Sequence, residues 1–149
     1  MSEEEPGQER REPILRVVPR PGDINSNGHI FGGWVLSQMD IAAGIVAARE
    51  SDGPVATVAV DAMKFLAPIL LHDLISVYAW VERIGRTSIA IRIDVIAIRD
   101  RGASEVKVTE GLFTFVALDE NNRPRPVKRA QGPYSIPATA MTGRRGGQG

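Results

Sequence analysis

Residues Asp23 to Asp40 join a polar turn to the one long helical stretch of this chain. The turn half, Asp23-Ile24-Asn25-Ser26-Asn27-Gly28, is made of residues that tolerate left-handed backbone and hydrogen-bond their own main chain. Gly32 and Gly33 then open a helix running to about Arg49, so its first unpaired N–H groups lie under almost no side chain. Such a start polarises a carbonyl or holds an anion. Asp40 follows about two turns along the same helix. A positive helix end and a carboxylate on one element is a layout suited to catalysis. The plainer reading of Asp40 is an ordinary solvated helix residue.

At roughly 100° per residue, Phe31, Trp34, Val35, Ile41, Ala42, Ile45 and Val46 fall together as the stripe expected to face a core. Gly33, Ser37, Asp40, Ala43, Gly44 and Ala47 line the other side. Small residues admit another backbone or a narrow ligand, and Gly44 costs about 1 kcal/mol relative to Ala. That face is therefore expected to be covered, with Asp40 in its middle. Gln38 falls within the apolar stripe and needs a partner there.

The rest of the chain is β-rich. Ile14 to Val18 is a short strand stopped by Pro19 and Pro21, and Ser51-Asp52-Gly53-Pro54 ends the helix. Val55 to Phe65 is a strand with Val58 and Val60 on one face and Thr57, Ala59, Asp61, Met63 and Phe65 on the other. After the connector Leu70 to Asp73, Leu74 to Arg83 places Leu74, Ser76, Tyr78 and Trp80 on one side. Gly85 makes a turn. From Thr87 to Ile98, Ile89, Ile91, Ile93 and Val95 alternate with Ser88, Ala90, Arg92 and Asp94, the mark of a half-buried antiparallel strand. Asp100 to Ser104 turns it into the strand Val106 to Leu118, and a polar loop leads to the basic segment Arg123 to Arg129. One long helix with an antiparallel sheet makes an α+β domain. The second face of the sheet and the small face of the helix both need cover, which a homo-oligomer supplies.

Composition bounds the function. The 149 residues fit one domain, placed at 13–137, with charged or glycine-rich tails at 1–12 and 138–149 expected to be disordered. Lys+Arg and Asp+Glu both number 18, so net charge favours neither nucleic acid nor a membrane surface. The absence of cysteine excludes disulfides, zinc–thiolate sites and a thiol nucleophile. His29 and His72 are too few and too far apart for a histidine metal site, so no metal is expected. No apolar run has transmembrane length and the first residues carry no signal-peptide core, which makes the cytoplasm the expected compartment.

The run Asp23-Ile24-Asn25-Ser26-Asn27-Gly28-His29-Ile30-Phe31-Gly32-Gly33-Trp34, then Ser37-Gln38-Met39-Asp40, resembles the hotdog-fold acyl-CoA thioesterases, closest to the YciA type. Thr57 to Val60 with Met63 to Pro68, Gly85 to Ile89, and Phe113 to Ala117 match in the same order, so the likeness spans about Leu15 to Arg129. It implies a curved antiparallel sheet wrapped around one long helix. It also implies subunits that join their sheets, dimers that commonly assemble into hexamers, and active sites at the dimer interface. By the motif, Asp40 matches the catalytic carboxylate and Asn25 the polar residue that assists from the facing subunit. Gly32 and Gly33 match the backbone donors to the thioester oxygen. An ionised Asp activates water, or attacks directly to form an anhydride, without a cofactor. Coenzyme A enters only as part of the substrate.

The phosphates of coenzyme A call for cations. Arg83, Arg86 and the segment Arg123 to Arg129 are candidates, with Thr87 and Ser88 as hydroxyl donors; Arg86 and Ser88 lie in the family-like turn. His29 receives no catalytic role, and for Asp61 two readings stand open, a structural hydrogen-bonding group and part of the pocket edge. Two other readings stand beside the hydrolase: a silent acyl-CoA-binding module, and a hotdog dehydratase or hydratase using a His with a carboxylate. The second expects a proline-rich run after Asn27-Gly28-His29, where Ile30-Phe31-Gly32-Gly33 stands instead. Met63, Phe65, Trp34 and Tyr78 are candidate shapers of acyl-chain preference.

Overall fold

The computed structural model describes residues 12–127. The expected tails lie outside that span except for Glu12, as do Lys128 and Arg129. In chain order the elements are β1 (Leu15–Val17), α1 (Gly32–Ser51), β2 (Val55–Phe65), β3 (Leu74–Ile84), β4 (Ser88–Arg99) and β5 (Ser104–Ala117). The strands form one antiparallel sheet in the order β1-β3-β4-β5-β2, and α1 packs across it. This is the expected α+β layout. No helix among the described residues is long and apolar enough to cross a membrane.

The core forms where alternation meets the helix. Ile89, Ile91, Ile93 and Val95 of β4 are fully buried, beside Ile75 and Val77 of β3 and Phe113 and Phe115 of β5. Each such side chain contributes about 1.5–3 kcal/mol on burial. Arg92 and Asp94, between the isoleucines, turn to the other face and pair with Glu82 and Lys107 at 2.6 and 3.1 Å. Desolvation pulls the Lys107 pKa down, but hydrogen bonds and charge from Glu110 and Asp94 outweigh it and leave it raised. The same hydrogen bond, then the Lys107 charge, holds Glu110 below the ordinary carboxylate range.

The buried face of α1 differs from the expected one. Val35, Met39, Ala42, Ala43 and Ala47 are buried, whereas Phe31 and Ile41 of the expected stripe are 48% and 51% exposed. The helix is turned by roughly 100°, so half of its small-residue face lies on the sheet. Gly44 sits under Phe115, whose ring is 3.7 Å from where a Cβ would be. Apolar residues run almost all round this helix, so periodicity alone names no unique inner face. Asp40 is exposed rather than covered within the chain.

Strand β2 also departs from simple alternation. Register shifts fall between Thr57 and Ala59 and between Asp61 and Lys64, and Ala62 adopts φ 50° at the second. Thr57 pairs with Phe115 and Val60 with Phe113, which puts both on the helix side; Val60 therefore leaves the face expected for it. Asp61 pairs with Leu112 and is exposed on the outer face. Gly111 is required where β5 passes β2, since a Cβ there would stand 2.6 Å from Met63 Sδ.

Past the helix, Asp52 takes a left-handed φ of 52° and its N–H returns to Ala48 and Arg49. Arg125 completes the end, donating to the carbonyls of Ser51 and Leu118, both at 2.8 Å. Its guanidinium is thus committed to the backbone, which removes it from the candidate phosphate binders.

Candidate active site

The turn before α1 is held by Asn25. Its Oδ1 accepts the N–H groups of Asn27 and His29 at 2.9 and 3.1 Å, and its own N–H donates to the His29 carbonyl at 2.6 Å. Phe31 N–H donates to Asp23, and Ile30 N–H to Ile69, at 3.0 and 3.1 Å. The chain therefore enters the helix at a fixed angle. No side chain caps that end. The Trp34 N–H already turns back to Phe31, and Gly32 and Gly33 carry N–H groups that no carbonyl within the helix reaches.

A cavity of about 400 Å³ opens at this helix start, with Asn25, His29, Gly32, Phe65, Pro68 and Thr109 in its wall. Two of the four expected catalytic residues, Asn25 and Gly32, thus line one space, and Gly33 is next to it on the helix. A Cβ on Gly32 would meet the Phe65 ring at 3.5 Å, so the ring lies close over the helix end.

Asp40 lies elsewhere. Eight residues along α1 place it about 12 Å from Gly32, and its Oδ1 accepts a hydrogen bond from Thr57 Oγ1 of β2 at 2.5 Å. Thr57 is a partner that strand alternation did not single out. The bond fixes one carboxylate oxygen. The helix start and Asp40 therefore stand at two separate places on one chain.

The β3–β4 turn carries the residues expected to contact coenzyme A. Arg83 and Arg86 are exposed, Thr87 and Ser88 half-buried. Gly85 N–H donates to the Ser88 carbonyl at 2.8 Å, and a Cβ on Gly85 would displace Ser88 Oγ. The Thr87 and Arg86 carbonyls accept from Ala117 and Val127, at 2.9 Å in both cases. Pairing relates Ile89 to Phe115 and Thr57, and Val95 to Thr109 and Phe65. Six residues of β4, about 20 Å, thus separate the level of the turn from that of the cavity. The turn sits at the Thr57 end.

A model of the thioesterase superfamily matches residues 27–103. The acyl-CoA thioester hydrolase YciA of Salmonella typhimurium is 43% identical over 118 residues, 76% of this chain and 88% of that one. A solved hexameric broad specificity acyl-coenzyme A thioesterase, in the form of an Asp-to-Ala mutant enzyme, superposes with TM-score 0.79 at 36% identity, covering 91% and 99% of the two chains. The hexameric thioesterase of Yersinia pestis does so with TM-score 0.77 at 40% identity, covering 83% and 100%. The chain belongs to the hotdog-fold acyl-CoA thioesterases.

Two features of this thioesterase lay beyond the sequence reading. Thr109, 1% exposed, contributes to the cavity wall from β5. Asp73, taken as part of a connector, is 2% exposed and pairs with Arg99 behind the cavity. Among the specificity candidates, Phe65 lines the cavity and Met63 packs at Gly111. Tyr78 pairs with Asp94 on the sheet face away from the helix, so it is withdrawn from acyl-chain selection. Among the described residues no cluster of three or more His, Cys, Asp and Glu could hold a metal ion.

Proposed function

We propose that this thioesterase hydrolyses acyl-CoA to coenzyme A and a carboxylic acid as a cytoplasmic homo-oligomer, with each site shared by two chains. The observation that carries the reading is the separation of the two half-sites along α1, beside a sheet edge that one chain leaves apolar. Val58, Val60 and Phe65 of β2 are 57%, 41% and 58% exposed, and Ile41 near Asp40 is 51% exposed. Pairing β2 with β2 of a second copy covers that edge and lets the acid of one chain face the helix start of the other. The known hexamers among the relatives agree with such an assembly.

In this mechanism Asp40 takes a proton from water and the hydroxide adds to the thioester carbonyl. The oxyanion forms against the N–H groups of Gly32 and Gly33, which stabilise it by a few kcal/mol. Collapse expels the coenzyme A thiolate, which then takes up a proton. Asn25 presents its carboxamide NH2 to the substrate from the facing subunit, its Oδ1 being used by the turn. Arg83, Arg86, Thr87 and Ser88 hold the coenzyme A phosphates. No cofactor takes part.

Release of free thiol from acyl-CoAs of graded chain length tests the proposal. The wild type hydrolyses at least part of the series, and Asp40→Ala, folded and of unchanged mass, loses about 100- to 10,000-fold in kcat. Binding of acyl-CoA without thiol release by the wild type would sink the hydrolase and favour a binding module. Full activity in Asp40→Ala would remove the acid assigned here.

A further inference from the structure

We propose that the ion pair of buried Asp73 with half-buried Arg99 is a positioning device for the helix-start half of the active site, an inference that rests on the thioesterase reading above. Arg99 Nε donates to both Asp73 oxygens at 3.0 and 3.2 Å, and Nη2 donates to Oδ2 at 3.1 Å. The same Nη2 reaches the Pro68 carbonyl at 2.6 Å, and Asp73 Oδ2 accepts the Leu70 N–H at 2.8 Å. Pro68 and Leu70 flank Ile69, so one ion pair grips the chain on both sides of a single residue. Ile69 is 3% exposed, lines the cavity, and accepts the Ile30 N–H at 3.1 Å. Ile30 is two residues before Gly32.

A continuous route therefore runs from the pair, through Ile69, to the N–H groups assigned to the oxyanion. What ties the pair to the loop is its hold on the Pro68 carbonyl and the Leu70 N–H, over and above its own charge attraction. The guanidinium fork is what allows one side chain to serve both Asp73 and Pro68. An ammonium keeps the charge but not the fork.

R99K and D73N test this against the wild type by four readouts: thiol release, thermal unfolding, oligomer mass, and amide hydrogen exchange at Ile30. Both variants are expected to fold and assemble. Their kcat falls about tenfold with KM within about twofold, as for a displaced catalytic group. Exchange at Ile30 becomes at least about tenfold faster. Unchanged kcat or unchanged Ile30 exchange in the folded variants overturns the proposal, and so does loss of the fold in both. A wild type that releases no thiol overturns the thioesterase reading instead, and Ile30 exchange alone then decides the role of the pair.

Discussion

Strands β4 and β2 have similar lengths and opposite characters. β4 lies in the middle of the sheet, with Ile89, Ile91 and Ile93 fully buried and its pairing with β3 and β5 nearly unbroken. β2 lies at the edge, is shifted twice in register, adopts a left-handed backbone at Ala62 and leaves Val58 and Phe65 more than half exposed. Yet β2 touches both proposed half-sites: Thr57 holds Asp40, and Phe65 lies over Gly32. Burial is concentrated where the strand is regular, and the proposed chemistry gathers where it is not. Bulges re-aim side chains, which a strictly alternating strand cannot do.

The contrast is open to attack by substitution. A charge on the open edge has the largest expected effect: Val58→Lys blocks strand pairing between copies. The variant sediments at lower mass and loses at least about 100-fold in thiol release, the range of a missing acid–base group, while each chain keeps its fold. Activity in a monodisperse single chain would end the shared-site reading. Ile91→Ala in β4 comes next, costing about 2–5 kcal/mol of stability in denaturant unfolding, with kcat of the folded protein little changed. Thr57→Val removes one hydrogen bond to a carboxylate, about 1.5–3 kcal/mol before discount for exposure, and lowers kcat about fivefold with stability nearly intact.

Smallest is Glu110→Gln, below about 1 kcal/mol because the pair with Lys107 is partly solvated. The Glu110 pKa is lowered in the folded chain. Its contribution is therefore present above the ordinary carboxylate pKa of 4.5 and fades as pH falls through the depressed value. Wild type and variant unfold at more similar temperatures in acid than at neutral pH, which a pH series of melting curves checks.

Much of this arrangement was legible in the residues. The alternation in β4 has one solution, because a shift by one residue would expose four large aliphatic side chains at once. The polar turn and the glycine pair marked the helix start from local chemistry. The inner face of α1 was not legible, since its apolar residues encircle it and only the sheet decides which are used. Nor was the face of Val60, because a bulge depends on how β5 runs alongside. The Asp73–Arg99 pair joins residues 26 apart, one in a connector and the other at the end of β4. Arg125 looked like a phosphate ligand from its basic surroundings, whereas the helix end took it first.

The strand order carries a further consequence for how the chain is made. β2 is synthesised directly after the helix, but its partner β5 comes last, with Val55 opposite Ala117. During translation β2 therefore emerges with nothing beside it, while β3 and β4 zip together as neighbours. Its apolar residues are open to other nascent chains throughout that interval, which makes it the point at which aggregation competes with folding. Slowing elongation between β2 and β5 lengthens that interval, and speeding it shortens the wait.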